Sequence, residues 1–205
     1  MNYRKIIMMT LLMTTALSLG ACSTVQPSAT GAPTPQHETT KPPITTPVPS
    51  TPAASNEAVT EIQEILNLAK EGKIANCEFP LEKGMFDDLE QAWGKPDTNE
   101  FAGKAMYATY KTKNIVVGYN KGVQIIDLRS DSSDIRKLTL EDILQALGET
   151  KDIRSNEGET IYVYPAGKDY ELKFIVPKPT KQAPNPHVDH ISVFYPRGAV
   201  NLMAG

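Results

Sequence analysis

Chemistry at neutral pH needs nucleophiles, bases or metal ligands within reach of one another, and this chain offers few. Its cysteines are Cys22 and Cys77. Cys22 closes the tetrapeptide Leu19-Gly20-Ala21-Cys22, a leucine and two small residues ahead of a thiol. That pattern marks the cleavage and lipidation point of a bacterial lipoprotein, so Cys22 is expected to carry diacylglycerol. Cys77 then stands alone, and no internal disulfide is available to the fold. A nucleophilic Cys needs a nearby base and an electropositive setting. The neighbours Asn76, Glu78 and Phe79 supply neither. A small buried residue packed between helix and sheet is the plainer reading.

His187-Val188-Asp189-His190 is the best metal candidate. In an extended strand His187 and Asp189 share a face while His190 points the other way. A closed zinc site takes four ligands, and no further Cys or His pair stands at ligand spacing, so no metal and no cofactor are expected. Asp87-Asp88 and Glu141-Asp142 are the paired carboxylates. Two acids flanking a cleft would suit glycoside cleavage. Both pairs open predicted helices, where negative charge is favourable beside the positive helix end. No serine elbow, phosphate-cradling glycine loop or zinc-protease helix is present. These residues favour a non-catalytic protein. The competing reading is a cell-envelope hydrolase using Cys77 or the His187/Asp189/His190 group.

The elements that would position these residues occupy only part of the 205-residue chain. Residues 1–21 read as a secretory signal, with Arg4 and Lys5 ahead of the uncharged run Ile6 to Leu19. That run is short for a membrane-spanning helix, which needs about 20 apolar residues. Residues 22–56 carry Pro27, Pro33, Pro35, Pro42, Pro43, Pro47, Pro49 and Pro52 among Thr and Ser. Such a composition cannot bury enough apolar surface to offset chain entropy, so a disordered, lipid-anchored linker is expected. Residues 57–205 form the globular part. Arg4, Lys5 and Lys41 precede it, which leaves 18 of the 21 basic residues; Glu38 precedes it, which leaves 23 of the 24 acidic ones. An acidic domain with no basic cluster denser than Arg136-Lys137 is a poor match to nucleic acid, which demands a basic stripe.

Within the domain, Val59, Ile62, Ile65, Leu66 and Ala69 recur at helical spacing, with Ser55 or Asn56 as N-cap and Gly72 at the end. Shorter helices are expected over Met85 to Trp93 and Leu140 to Leu147. Strands are expected over 105–111, 114–119, 123–129, 160–164, 170–176 and 188–195, with a hairpin across Asn120-Lys121-Gly122. The segment Asp87-Asp88-Leu89-Glu90-Gln91-Ala92-Trp93-Gly94 lies 54 residues before Glu141-Asp142-Ile143-Leu144-Gln145-Ala146-Leu147-Gly148, and five of the eight pairs are identical or acid for acid. The same offset carries Tyr110 onto Tyr164. The expected fold is therefore α+β, with tandem units at about 81–130 and 135–197 after one N-terminal helix. Each unit is a helix plus a three-stranded antiparallel sheet. Helix stripe and sheet face can bury each other.

The stretch Glu71 to Pro80, Trp93-Gly94-Lys95-Pro96-Asp97, Pro177-Lys178-Pro179-Thr180 and the closing Tyr195-Pro196-Arg197-Gly198 resemble the YjgB-type domain. That family comprises uncharacterised lipoproteins of Bacillus-like Gram-positive bacteria, and the resemblance runs from about Ile62 onward. The helix-Gly-x-Pro-then-strands unit is also similar to the β-lactamase-inhibitor-protein fold, shared by the small lipoprotein subunit of the outer-membrane barrel-assembly machinery. The second unit departs from it, with Glu149-Thr150 where Lys95-Pro96 stands in the first. What the likeness implies is an extracytoplasmic binding module.

An aromatic-rich sheet remains as the functional candidate. Tyr107, Tyr110, Tyr119, Tyr162, Tyr164, Tyr170 and Tyr195 lie in or beside strands. Tyr and Arg are enriched at binding hot spots, and strands also favour aromatics for packing, so about half are expected to be core. Tyr107 and Tyr110 must face opposite sides. The expected contact surface is Tyr107, Tyr119, Arg129, Tyr170 and Arg197, offered to an envelope protein, peptide or glycan, with the membrane engaged only through the lipid. A small-ligand sensor is the third reading and would need a sizeable pocket between helices and sheet.

Overall fold

The computed structural model describes residues 55–200. The expected signal segment, Cys22 and nearly all of the expected linker lie outside them. Helix α1 runs Asn56–Lys70, with the Ser55 hydroxyl accepting from the Ala58 N–H at its start. Its apolar stripe buries Ile62, Ile65 and Ala69. Helices α2 (Phe86–Trp93) and α3 (Leu140–Leu147) are two turns each. Thr139 and Asp142 close α3 with reciprocal side-chain-to-backbone bonds, a capping box that satisfies two donors otherwise orphaned. Gly94 and Gly148 follow the two short helices at φ +83° and +76°, a conformation glycine adopts without the Cβ penalty.

Eight strands form one antiparallel sheet: β1 Thr98–Ala102, β2 Ala105–Tyr110, β3 Ile115–Tyr119, β4 Ile125–Ser130, β5 Asp152–Asn156, β6 Glu159–Ala166, β7 Tyr170–Pro177 and β8 His190–Phe194. Their order across the sheet is β1-β2-β3-β4-β8-β7-β6-β5. The fold is mixed α+β and mostly sheet. Four strands follow each short helix where three were expected. The additional strands, β1 and β5, are the two edges. Each carries a single large apolar residue in a polar run, so neither shows the β-branched or aromatic enrichment that marks a strand.

Alternation sorts the sheet into two faces. Ala108, Tyr110, Ile115, Val117, Leu128, Val193, Leu172 and Phe174 are cross-strand neighbours on one face, and all are buried. Helices α1 and α3 pack on that side, joined by Leu81, Phe86 and Leu89. No described helix covers the opposite face.

Candidate functional site

The opposite, open face carries a polar network at its middle. Registers across β2, β3, β4, β8 and β7 align Tyr107, Gly118, Asp127, Phe194 and Glu171 in one row. The adjacent row is Thr109, Val116, Arg129, Ser192 and Lys173. Asp127 sits at the centre, 2% exposed. Its Oδ2 accepts from Arg129 Nε at 2.9 Å and the Tyr107 hydroxyl at 3.3 Å, and lies 2.8 Å from the charged Arg129 Nη2. Its Oδ1 accepts from the Ser192 hydroxyl at 2.8 Å. A buried carboxylate is tolerated only with its lone pairs occupied by donors, and three hydrogen bonds and the Arg129 charge meet that demand.

Gly118 makes the arrangement fit. A Cβ there would stand 2.8 Å from both the Tyr107 ring and Asp127 Cβ. With only hydrogen at that position, the Tyr107 ring crosses β3 and reaches Asp127 on the next strand. The Arg129 guanidinium lies over the Tyr107 ring at 4.4 Å, a cation–π contact that fixes its plane. Burial and then the Asp127 charge push the Tyr107 hydroxyl above its usual range. For Arg129, burial is the largest influence and works against the charge, but Asp127 and Tyr107 together outweigh it and the guanidinium is held more firmly protonated.

The network continues toward β5. Lys173 Nζ lies 3.7 Å from the Phe194 ring centroid and 3.2 Å from Glu171 Oε2. Burial draws the Lys173 ammonium below its normal range, while Asp127 and Glu171 oppose that shift. Arg154 bridges Glu171 and Asp152 at 3.2 and 2.6 Å. Each cation on this face therefore has an acid beside it. The result is a set of oriented donors and aromatic rings with little net charge. Beside it, an open hollow of about 330 Å³ is lined by Thr98, Glu100, Tyr107, Thr109, Val116 and Arg129, with Phe101 and Ala102.

The five residues read from the sequence fall into three places. Tyr107 and Arg129 meet on the open face. Tyr119 does not join them: it is 8% exposed on the helix-covered side, stacked on Phe86 at 4.0 Å, with its hydroxyl bonded to Asn99. Its β3 neighbours at the period of two, Ile115 and Val117, explain why. Tyr170 leans on Tyr195 and gives its hydroxyl to Glu82. It lines a separate hollow of about 540 Å³ at the end of β6 and β7. Arg197 is exposed beside that hollow, paired with Asp169. The sequence reading passed over Asp127, Ser192, Lys173 and Phe194. A signal was present, since Asp127/Arg129 and Glu171/Lys173 are acid–base pairs two residues apart and so share a face.

The nucleophile and metal candidates are placed differently. Cys77 is 6% exposed and its thiol lies 3.5 Å from the Phe79 carbonyl. Burial pushes the thiol up to about 11, so thiolate is scarce at neutral pH. His187 Nδ1 meets the Lys137 carbonyl, while His190 Nδ1 meets the Asp189 carboxylate at 2.8 Å. Residues 188 and 189 precede β8 rather than belonging to it, so the expected strand alternation does not apply there. Among the described residues no three His, Cys, Asp or Glu side chains gather at metal-binding distance. Asp142 is consumed in its capping box, and Glu141 is held by Asn185. No described helix is long and apolar enough to cross a membrane.

Architecture and site together define a small α+β domain whose single antiparallel sheet is helix-covered on one side and bears a paired-charge aromatic network on the other. A family model described as a domain of unknown function, DUF4309, matches residues 62–194, from the middle of α1 to the last residue of β8. The chain belongs to that family. No curated protein and no solved structure matches it.

Proposed function

We propose that this protein is a YjgB-type lipoprotein of the cell envelope, held outside the cytoplasm by lipid on Cys22. Its domain acts as a non-catalytic binding module that presents the open sheet face to a protein, peptide or glycan. The observation that carries the reading is the Tyr107–Asp127–Arg129 set. A ring and a guanidinium locked by a buried carboxylate are ordered before a partner arrives, which lowers the entropy cost of binding. Each polar group of that set serves as a partner to another, which holds the ring and the guanidinium in one arrangement.

We further infer that the sheet is a tandem duplication, related to the β-lactamase-inhibitor-protein architecture. An offset of 54 residues carries Phe86–Trp93 onto Leu140–Leu147 and Thr98–Ala102 onto Asp152–Asn156. It also carries the Tyr110 hydroxyl bond to the Gly94 carbonyl, 3.1 Å, onto the Tyr164 bond to the Gly148 carbonyl, 2.8 Å. Such a sheet is extended enough for one face to be spent on a core and the other on contact.

The test is crosslinking capture from membranes with the intact chain and its Tyr107→Ala and Arg129→Ala variants. Capture is expected to fall with both variants, and equal capture with both refutes this face. Labelled palmitate is expected on the natural chain and not on Cys22→Ala; an unlabelled natural chain refutes the anchor.

A further inference from the structure

Large apolar side chains stand in water at both edges of the sheet. Phe101 on β1 is 66% exposed and Ile153 on β5 is 53% exposed. Both edges are five-residue strands with a partner on one side only. Such a strand offers a row of free backbone donors and acceptors to another chain. Natural edges are commonly blunted by shortness, by charged side chains, by Pro or by a bulge. Thr98-Asn99-Glu100-Phe101-Ala102 and Asp152-Ile153-Arg154-Ser155-Asn156 are short and charged, but they hold no Pro and no Lys, they pair with their neighbours without a register shift, and the charges of Glu100 and Arg154 are opposite in sign.

Every pairing from β1 across to β5 is antiparallel. The seven steps leave β1 and β5 running in opposite directions. A second copy placed with its β5 beside β1 therefore continues the antiparallel sheet, face matched to face. One register then sets Glu100 opposite Arg154 and Phe101 opposite Ile153. Thr98 meets Asn156, Asn99 meets Ser155 and Ala102 meets Asp152, with no like charges opposed. The faces agree as well. Glu100 is the partner of Tyr107, and Arg154 bonds Glu171, both on the open side. Phe101 pairs with Met106, and Ile153 with Tyr162, on the helix side. Opposite charges and an aromatic against a β-branched residue are favourable cross-strand pairs. Sliding by two residues puts Glu100 against Asp152 in one direction and Phe101 against Ser155 in the other.

We propose that copies of this chain associate head to tail, β1 of one against β5 of the next. Pairing β1 with β1, or β5 with β5, covers only one of the two exposed residues. The mixed contact covers both and continues the open face from copy to copy. It is a heterologous contact that propagates rather than closing on itself. A five-residue edge buries far less than a stable interface requires, so association is weak and shows at high local density. This inference rests on the sheet edges and stands apart from the open-face reading.

The experiment uses the full chain in two differently tagged forms, one with Asn99→Cys and one with Ser155→Cys, a pair the same register sets opposite while keeping Phe101 and Ile153, produced together and mildly oxidised. A mixed disulfide is expected, above the background of tagged chains without the new cysteines. Adding Glu100→Arg to the first form is expected to lower its yield at least about threefold. Adding Arg154→Glu to the second form as well is expected to restore it. The positions are exposed, and thermal melts of each form verify folding. Absence of the mixed product overturns the proposal. So does equal crosslinking of either form to itself, or failure of the double charge swap to rescue.

Discussion

The two faces of the sheet use the same residue type for opposite purposes. On the helix side, Tyr110 and Tyr164 are buried rings whose hydroxyls each end on a glycine carbonyl just past a helix. Their polar tips are satisfied locally, and their rings fill the core. On the open side, the Tyr107 ring crosses a strand through the gap left by Gly118 and is tied to a charged pair. A tyrosine's identity therefore says little about its task. Which side of the pleat it occupies, and whether its hydroxyl ends on backbone or on a charge, says much more.

The sharpest way to break this contrast is to damage each face in turn. Phe174→Ala, at a position with no exposure, should cost about 3–5 kcal/mol in denaturant unfolding. A smaller loss would mean the helix side is not the core. Gly118→Ala should cost about 1–3 kcal/mol by overpacking, because the new methyl meets both the Tyr107 ring and Asp127. The change should also free Tyr107, visible as a shift of its ring resonances. A variant with unchanged stability and unchanged Tyr107 signals would show that the ring does not lie across β3.

Tyr110→Phe and Tyr164→Phe should each cost about 1 kcal/mol, and by similar amounts. A large inequality would count against the proposed duplication. The last effect is confined to alkaline pH and concerns Cys77. Its thiol is raised from 9.0 to about 11 in the fold, so the folded state holds this proton more tightly than the unfolded chain. The associated stability is whole below pH 9 and is lost as pH climbs toward 11. Replacing Cys77 with Ala should flatten the decline of melting temperature over that interval and leave its trend below pH 9 unaltered.

Much of the architecture could be read in advance because it is set locally. Ser55 and Thr139 announce helix starts through their own hydroxyls, and Gly94 and Gly148 announce ends through their backbone freedom. The opposite facing of Tyr107 and Tyr110 followed from the period of two. The edges β1 and β5 escaped because a strand that buries almost nothing has no apolar pattern to display. Tyr119 was misplaced although Ile115 and Val117 marked its side as the apolar one. The spacing of Asp127 and Arg129 placed them on one face, but the contact that ties their strand to the next lay beyond the sequence. Asp127 meets Ser192, 65 positions away, only because β8 inserts beside β4, and that strand order is a property of the folded sheet.

The central claim is that the open face is the side that meets a partner, and surface labelling in the intact membrane tests it most directly. Short-lived radical footprinting of the full chain in its native membrane, compared with the same chain purified away from other components, should show protection of Tyr107 and Phe194. Side chains on the solvent side of α1, such as Glu64, should label equally in both. Protection centred on α1, or no difference between the two preparations on the open face, would contradict the account.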